Sequence, residues 1–415
     1  MIISLTLFLI AGMQLILIPI FMNVISIHAL LPPSSHCINY DSSERTITIS
    51  CLSANLDDIY NQLHNNDILS KQQLSSGNTF LLNAGLTIQK GSTFYINSTD
   101  TNWLKIVADG VNPNEIKVLG SLKIDSVKIT SWNPTTNDYG VTDGSRHSVQ
   151  DKLILNKGDV RPVIKVEGDA TGTTDITNSE IAYLGYEGGT SPGASGLSYY
   201  GGDNSIIKNN KIHNLYFGFY SKGVGGMTIE NNYIYNNDIY GLDPHTGTHD
   251  MVIRNNFVYN NGGFGIICSV DCYNITIEKN EVHDNYHGIM LSRNMTNSFV
   301  KNNVIYNENV SGIFVSDSYN NQIVKNTVSN SAAGVLLNMH SSNNIISKND
   351  IANTGEGIVF SNDVGTENLI KNNKITLYDS EQKDISFQGN SEAQSNTITQ
   401  NKKLVQPDLS TNFNN

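Results

Sequence analysis

Charge is scarce in this 415-residue chain. Asp, Glu, Lys and Arg make up only 15% of it, so Asn, Ser, Thr and Gly must carry the polar surface. That composition suits a β-rich extracellular scaffold better than a helical cytosolic enzyme. Basic residues are the scarcer sign. The 26 Lys and Arg against 38 Asp and Glu leave a net charge of −12, so no nucleic-acid partner is expected, because phosphate binding needs a basic surface. An acidic polysaccharide is repelled at long range as well, so a site for one requires local positive charge.

Cysteine is limited to four residues with no CxxC pair, which argues against a zinc or redox motif. Cys37 and Cys51 flank a short hairpin-like run, and Cys268 and Cys272 stand close together in sequence. Two local disulfides fit an oxidising compartment, with buried free thiols as the alternative. No Lys or Arg precedes Arg45, and residues 2–31 are almost wholly apolar. That run is long enough to span a bilayer and reads as a signal peptide or an uncleaved anchor. The chain is therefore expected to be exported, either extracellular or held at the cell surface by residues 2–31.

Helical patterning is also missing, and a different period takes its place. IIKNNKI, TIENNYI, VIRNNFV, TIEKNEV, FVKNNVI, IVKNTVS, IISKNDI and LIKNNKI recur. Their shared asparagine falls at Asn210, Asn232, Asn256, Asn280, Asn303, Asn326, Asn349 and Asn373, in steps of 22 to 24 residues. A glycine before an apolar residue repeats in step, at Gly218, Gly241, Gly265, Gly288, Gly312, Gly334 and Gly357. Each unit holds short alternating runs parted by Asn or Gly, which is strand-and-turn chemistry.

One unit cannot bury its own apolar face, but stacked units can. The expected fold is all-β: a single-stranded right-handed parallel β-helix with an N-terminal cap, its coils about 4.8 Å apart. The asparagines are expected to form a ladder. NLDDIYNQL reads as a short helix over the open first coil, whose edges need covering. The boundaries drawn are 1–31 for the signal peptide or anchor and 32–66 for the hairpin and cap. Irregular early coils follow over 67–204, regular coils carrying the candidate site over 205–378, and a C-terminal cap or tail over 379–415. The chain is read as a monomer.

One stretch breaks the repeat: YGLDPHTGTH, residues 240–249. Taking Gly241 as zero, Leu242 aligns with Ile266 and Ile289 and points inward. Alternation then turns Asp243 and His245 outward. At matching offsets stand Tyr220 and Lys222 one coil back, and Ser269, Ser292 and Arg293 further on. Tyr240, Phe264 and His287 share the offset before the glycine. One side of the cylinder thus gathers Lys222, Asp243, His245, Arg293, Tyr220 and Tyr240 within about four coils, roughly 15–20 Å. Titratable groups concentrated on a neutral surface mark a candidate active site.

Only one carboxylate is well placed, which weakens a glycosidase reading. A histidine, a tyrosine and a positive pair suit proton abstraction next to a carboxylate, as at C5 of a uronic acid. Arg293 and Lys222 would stabilise the enolate-like intermediate, and His245 and Tyr240 would act as base and acid. Epimerisation and lyase chemistry share these early steps. A non-catalytic carbohydrate-binding β-helix is the alternative outside the enzymes. Tyr220, His249 and His287 are further candidates for substrate binding.

YGLDPHTGTH resembles the Tyr-Gly-Phe-Asp-Pro-His signature of the mannuronan C5-epimerases. GIICSVDC, HGIMLSR, ITSWNP, RPVIKVEG and SEIAYLGY are similar to that family as well, so the resemblance spans roughly residues 67–375. It implies a β-helix that converts β-D-mannuronate to α-L-guluronate within a polyuronate. It implies Tyr240 and His245 as acid and base, Asp243 orienting the histidine or binding substrate, and Arg293 holding the carboxylate. His249 matches a second histidine of some members. Leu242 departs from the usual aromatic, and Val270 and Asp271 stand where basic residues often follow. Calcium-binding nonapeptide repeats are absent, so no cofactor or metal is expected.

Overall fold

The computed structural model describes residues 37–75, 77–108, 113–140, 160–187, 194–361, 363–389 and 395–405. The apolar run 2–31 lies outside them. No helix among the described residues is long and apolar enough to cross a membrane.

The chain winds into a right-handed β-solenoid of about 12 turns. Each regular coil contributes one short strand to each of three sheets, here I, II and III. Leu242–His245 lies in sheet I, Val252–Arg254 in sheet II and Phe257–Tyr259 in sheet III, before Phe264–Ser269 returns to sheet I. Among the described residues the sheets hold 14, 13 and 14 strands. Successive coils pair in parallel, with Ile229 on Ile253 and Ile253 on Ile277. These central isoleucines are fully buried, because the middle residue of a three-residue strand is the only one turned to the axis.

The Asn-Asn pairs at the corner between sheets II and III divide two tasks. The first asparagine takes a left-handed conformation, with φ of 57° at Asn231, 54° at Asn255 and 55° at Asn302. Asparagine tolerates that region better than most residues. The second is buried and joins the ladder. Asn256 Oδ1 accepts from Asn232 N at 3.0 Å and Asn232 Nδ2 at 2.9 Å. Asn256 Nδ2 in turn donates to Ile229 O and to Asn280 Oδ1. The pattern runs from Asn210 through Asn373 and on to Asn401. Every polar atom of a buried amide is thereby satisfied. Two further ladders turn the other corners. Asn237, Asn261, Asn285 and Glu308 form one, and Asn321, Asn344, Asn368 and Asn396 the other.

The repeating glycine has a separate cause. A Cβ on Gly241 would lie 2.5 Å from Gly265 O, so a side chain there would force adjacent coils apart.

At the N-terminal end, Ile38–Asp41 pairs antiparallel with Thr46–Ile49, and Cys37 is bonded to Cys51. The helix Leu56–Leu63 follows, with Asn55 accepting from Asp58 N and Asp58 accepting from Asn55 N in a capping box. Leu56 and Ile59 are buried in the core. The C-terminal segment supplies one strand to each sheet, at Ile385–Phe387, Thr397–Thr399 and Lys402–Val405.

A second local disulfide does not form. Cys268 and Cys272 are free and fully buried. Cys268 occupies the inward row of Leu291, its register partner, and serves as a small apolar filler. The Cys272 thiol donates toward Pro244 O at 3.6 Å.

Candidate active site

The register of sheet I decides which side chains meet. Strand Leu242–His245 pairs with Phe217–Lys222, setting Phe219 against Leu242, Tyr220 against Asp243 and Lys222 against His245. On its other side Leu242 faces Ile266 and His245 faces Ser269. Ser269 then faces Ser292. Leu242, Ile266 and Ile289 are fully buried in the core, so the residues that alternate with them lie on the outer wall.

His245 stands at the centre of that wall. Its ring centroid is 5.6 Å from that of Tyr220, and its Nδ1 is 2.5 Å from Thr246 Oγ1. Burial pulls its pKa down to about 4, helped by Arg293 and Lys222. The imidazole is therefore neutral near pH 7 and able to accept a proton. If Nδ1–H donates to the Thr246 hydroxyl, the Nε2 lone pair is presented outward.

Arg293 sits in the turn that ends strand His287–Ser292, with φ of 52°. The left-handed backbone sends its side chain back across the sheet. Its Nε and Nη2 both donate to Ser269 Oγ, at 3.1 and 2.5 Å. Ser269 is itself the register partner of His245. The guanidinium and the imidazole thus share one patch.

Tyr240 lies two residues before the strand, separated from it by Gly241. Its ring lies between Phe217 at 5.0 Å and Phe264 at 5.3 Å. Burial, then the Asp243 carboxyl, pushes its phenol up to about 12, so it is protonated and able to donate. Lys222 is exposed beside His245. Tyr220 is only 4% exposed, and burial, reinforced by Asp243, pushes its phenol upward.

Asp243 occupies the outer row but is not open to solvent. It is 2% exposed, set on the ladder beside the bulky Tyr220. Its Oδ1 has no hydrogen-bond partner among the described residues. Burial raises its pKa well above the usual carboxylate range, against the pull of Arg293.

The other two candidate histidines, His249 and His287, make their contacts elsewhere. His249 lies past the turn, in the bridge series Gly225, His249, Tyr273. Its ring stacks on Tyr273 at 4.9 Å and its Nδ1 meets Asp250 Oδ2 at 2.8 Å. His287 is stacked between Phe264 at 5.0 Å and Phe314 at 5.1 Å. Its Nδ1 meets Ser311 Oγ at 2.7 Å, and burial pulls its pKa down to about 4. It belongs to the aromatic column that also holds Tyr240.

Two residues in contact with this set carry roles that the sequence does not assign: Ser269, placed on the wall by its offset, fixes Arg293, and Thr246 contacts Nδ1 of His245. The register gives Ser269 its place, but serine fills the same row at Ser292 and Ser316. Nothing in residue type or spacing singles it out.

A family model described as a right handed beta helix region matches residues 163–310. A mannuronan C5-epimerase of Pseudomonas fluorescens is 26% identical over 201 residues, which cover 46% of this chain. The similarity to that epimerase covers less than half of this chain. It spans 31% of the length of that curated relative. Among solved structures, the periplasmic alginate epimerase AlgG superimposes with a TM-score of 0.72 at 19% identity, over 87% of this chain and 85% of that one. The A-module of the Azotobacter vinelandii mannuronan C-5 epimerase AlgE6 gives 0.56 at 18% identity, over 79% of this chain and 89% of that one. At these identities the structures establish the shared solenoid.

A second family model, described as a periplasmic copper-binding protein (NosD), matches residues 265–404. Among the described residues, no group of three or more His, Cys, Asp or Glu could hold a metal ion.

Proposed function

We propose that this chain is a polysaccharide C5-epimerase that converts β-D-mannuronate to α-L-guluronate within a polyuronate. The observation that carries the reading is the register that sets His245 beside Lys222 and beside Ser269, the serine that holds Arg293, with Tyr240 two residues ahead of the same strand. Arg293 and Lys222 hold the uronate carboxylate. His245 Nε2 takes the C5 proton, and the electron pair moves into the carboxylate as an enediolate-like intermediate. The cations stabilise that charge. Tyr240 returns a proton to C5 from the opposite face, which inverts the centre. Tyr220 packs beside the base and shapes the wall against which the sugar lies.

Several observations support export. The Cys37–Cys51 disulfide suits an oxidising compartment, residues 2–31 have the length and apolarity of a signal or anchor, and AlgG is described as periplasmic. The protein acts as a monomer whose one solenoid carries the whole site.

The test is incubation with polymannuronate followed by proton NMR. Guluronate signals support the reading. Unsaturated end groups would identify a lyase, and binding without either product would identify a carbohydrate-binding scaffold.

A further inference from the structure

The outer wall of sheet I changes character at the candidate site. On the N-terminal side, side-chain contacts run without a break from the base. His245 lies against Tyr220, Tyr220 lies 6.0 Å from Tyr200, and Lys165 Nζ sits 5.6 Å from the Tyr200 ring. Lys117 pairs with Lys165 on the next coil. Both lysines meet Glu167, at 3.5 and 2.9 Å. Burial pushes the nearby Glu115 carboxyl up, with Lys165 opposing. With Lys222, the N-terminal half offers three ammonium groups across four successive coils, a span of about 14 Å.

The three coils that follow Arg293 offer none on this wall among the described residues. On the three coils after Arg293, residues 311–320, 333–343 and 356–366 contain no Lys or Arg. The row that carries Asp243 continues as Met290, Phe314 and Leu336, in register. The row that carries His245 continues as Ser292, Ser316 and Asn338. The charged groups here are acidic: Asp317 beside Ser316 and Glu356 at the start of its strand. A polyuronate laid along this half meets apolar side chains and small polar groups, with no partner for its carboxylates.

We propose that the substrate strip is one-sided: charge grips the polymer at the reacting residue and toward the N-terminal coils, while the C-terminal coils receive sugar residues by their apolar faces without requiring a carboxylate. This rests on the epimerase reading and narrows its substrate class. A chain in which the residue on one flank of the target is neutral, by reduction or esterification of its carboxyl, remains a substrate. The same change on the other flank is disabling, because a uronate there loses its ammonium partners.

The experiment uses the full chain and mannuronan in which a fraction of carboxyls has been reduced to primary alcohols. NMR triads report which mannuronates become guluronate. Those with a neutral neighbour on one flank should react at nearly the unmodified rate. Those with it on the opposite flank should slow about tenfold, roughly 1.4 kcal/mol of lost binding in the transition state. Equal slowing on both flanks, or none on either, overturns the proposal.

In parallel, Lys165→Gln should raise KM about threefold to tenfold with kcat held. Lys371→Gln, on sheet II, should leave both unchanged. Failure to epimerise unmodified mannuronan would reject the activity instead. Saturation-transfer NMR of the same reduced oligosaccharides would then still decide the strip. Contacts to neutral residues on one flank only support it, and symmetric contacts overturn it.

Discussion

Arg293 donates twice to the hydroxyl of Ser269, from Nε at 3.1 Å and from Nη2 at 2.5 Å. The serine is fully buried on the coil between those of His245 and Arg293. It anchors a long cationic side chain that otherwise has many rotamers, and so determines where a carboxylate can be held. Ser269→Ala is expected to lower kcat/KM about tenfold, mostly through KM, as the guanidinium loses its fixed position. Ser269→Thr keeps the hydroxyl and should recover most of the loss. Steady-state kinetics on mannuronan of defined length read both.

The pH profile follows from His245. Its folded pKa is depressed to about 4, so the base is available above that pH. The rate should rise through about pH 4 and stay flat across neutrality, because Tyr240, held at about 12, keeps its proton. Lys222→Gln removes one cation next to the imidazole. The acid limb should then move part of the way toward higher pH, since burial, the larger cause, remains. A limb that moves to lower pH would contradict the placement.

Glu308 closes a corner ladder that asparagines otherwise occupy, accepting from Asn285 N at 2.8 Å. Burial pushes its pKa from 4.5 to about 8. A folded pKa raised above the unfolded value means that stability is full below about pH 4.5 and is lost as pH rises through about 8. Glu308→Gln should flatten this dependence and raise the melting temperature at alkaline pH more than at acid pH. The effect is on the order of a few kcal/mol. Thermal melts of both proteins across that range are the check.

The asparagine ladder predicts a local stability loss. Asn280 donates to Ile253 O and Asn303 Oδ1 and accepts from Asn256. Asn280→Ala strands buried partners on both neighbouring coils and should destabilise by ~2–4 kcal/mol. Substituting the exposed-corner Asn255 by glycine, which also accepts positive φ, should change stability by only a few tenths of a kcal/mol. Denaturant titration separates the two.

Much of the fold was legible because the repeat is strict. A buried amide at each coil and a glycine at each close approach leave marks every 22 to 24 residues. The cap helix was legible as the apolar-acidic stretch NLDDIYNQL, and the structure adds a capping box between Asn55 and Asp58. The register that brings His245 beside Lys222 followed from Gly218 and Gly241. Burial was harder to read. Asp243 alternates outward as expected, yet it is covered, because the accessibility of an outer-row residue depends on the size of its neighbours on adjacent coils. The cysteine pair failed for a related reason. Closeness in sequence suggests a bridge, but Cys268 points into the core with Leu291, and Cys272 is turned toward Pro244 O. The roles of Ser269 and Thr246 were not legible, since their importance lies in what a neighbouring side chain does with them.

The most direct test follows hydrogen at C5. Mannuronan incubated with the protein in deuterated water should gain deuterium at C5 in residues of inverted configuration, and His245→Gln should abolish that incorporation while the polymer still binds. Deuterium incorporation that survives in His245→Gln, or none at all with the unaltered protein, would contradict the account.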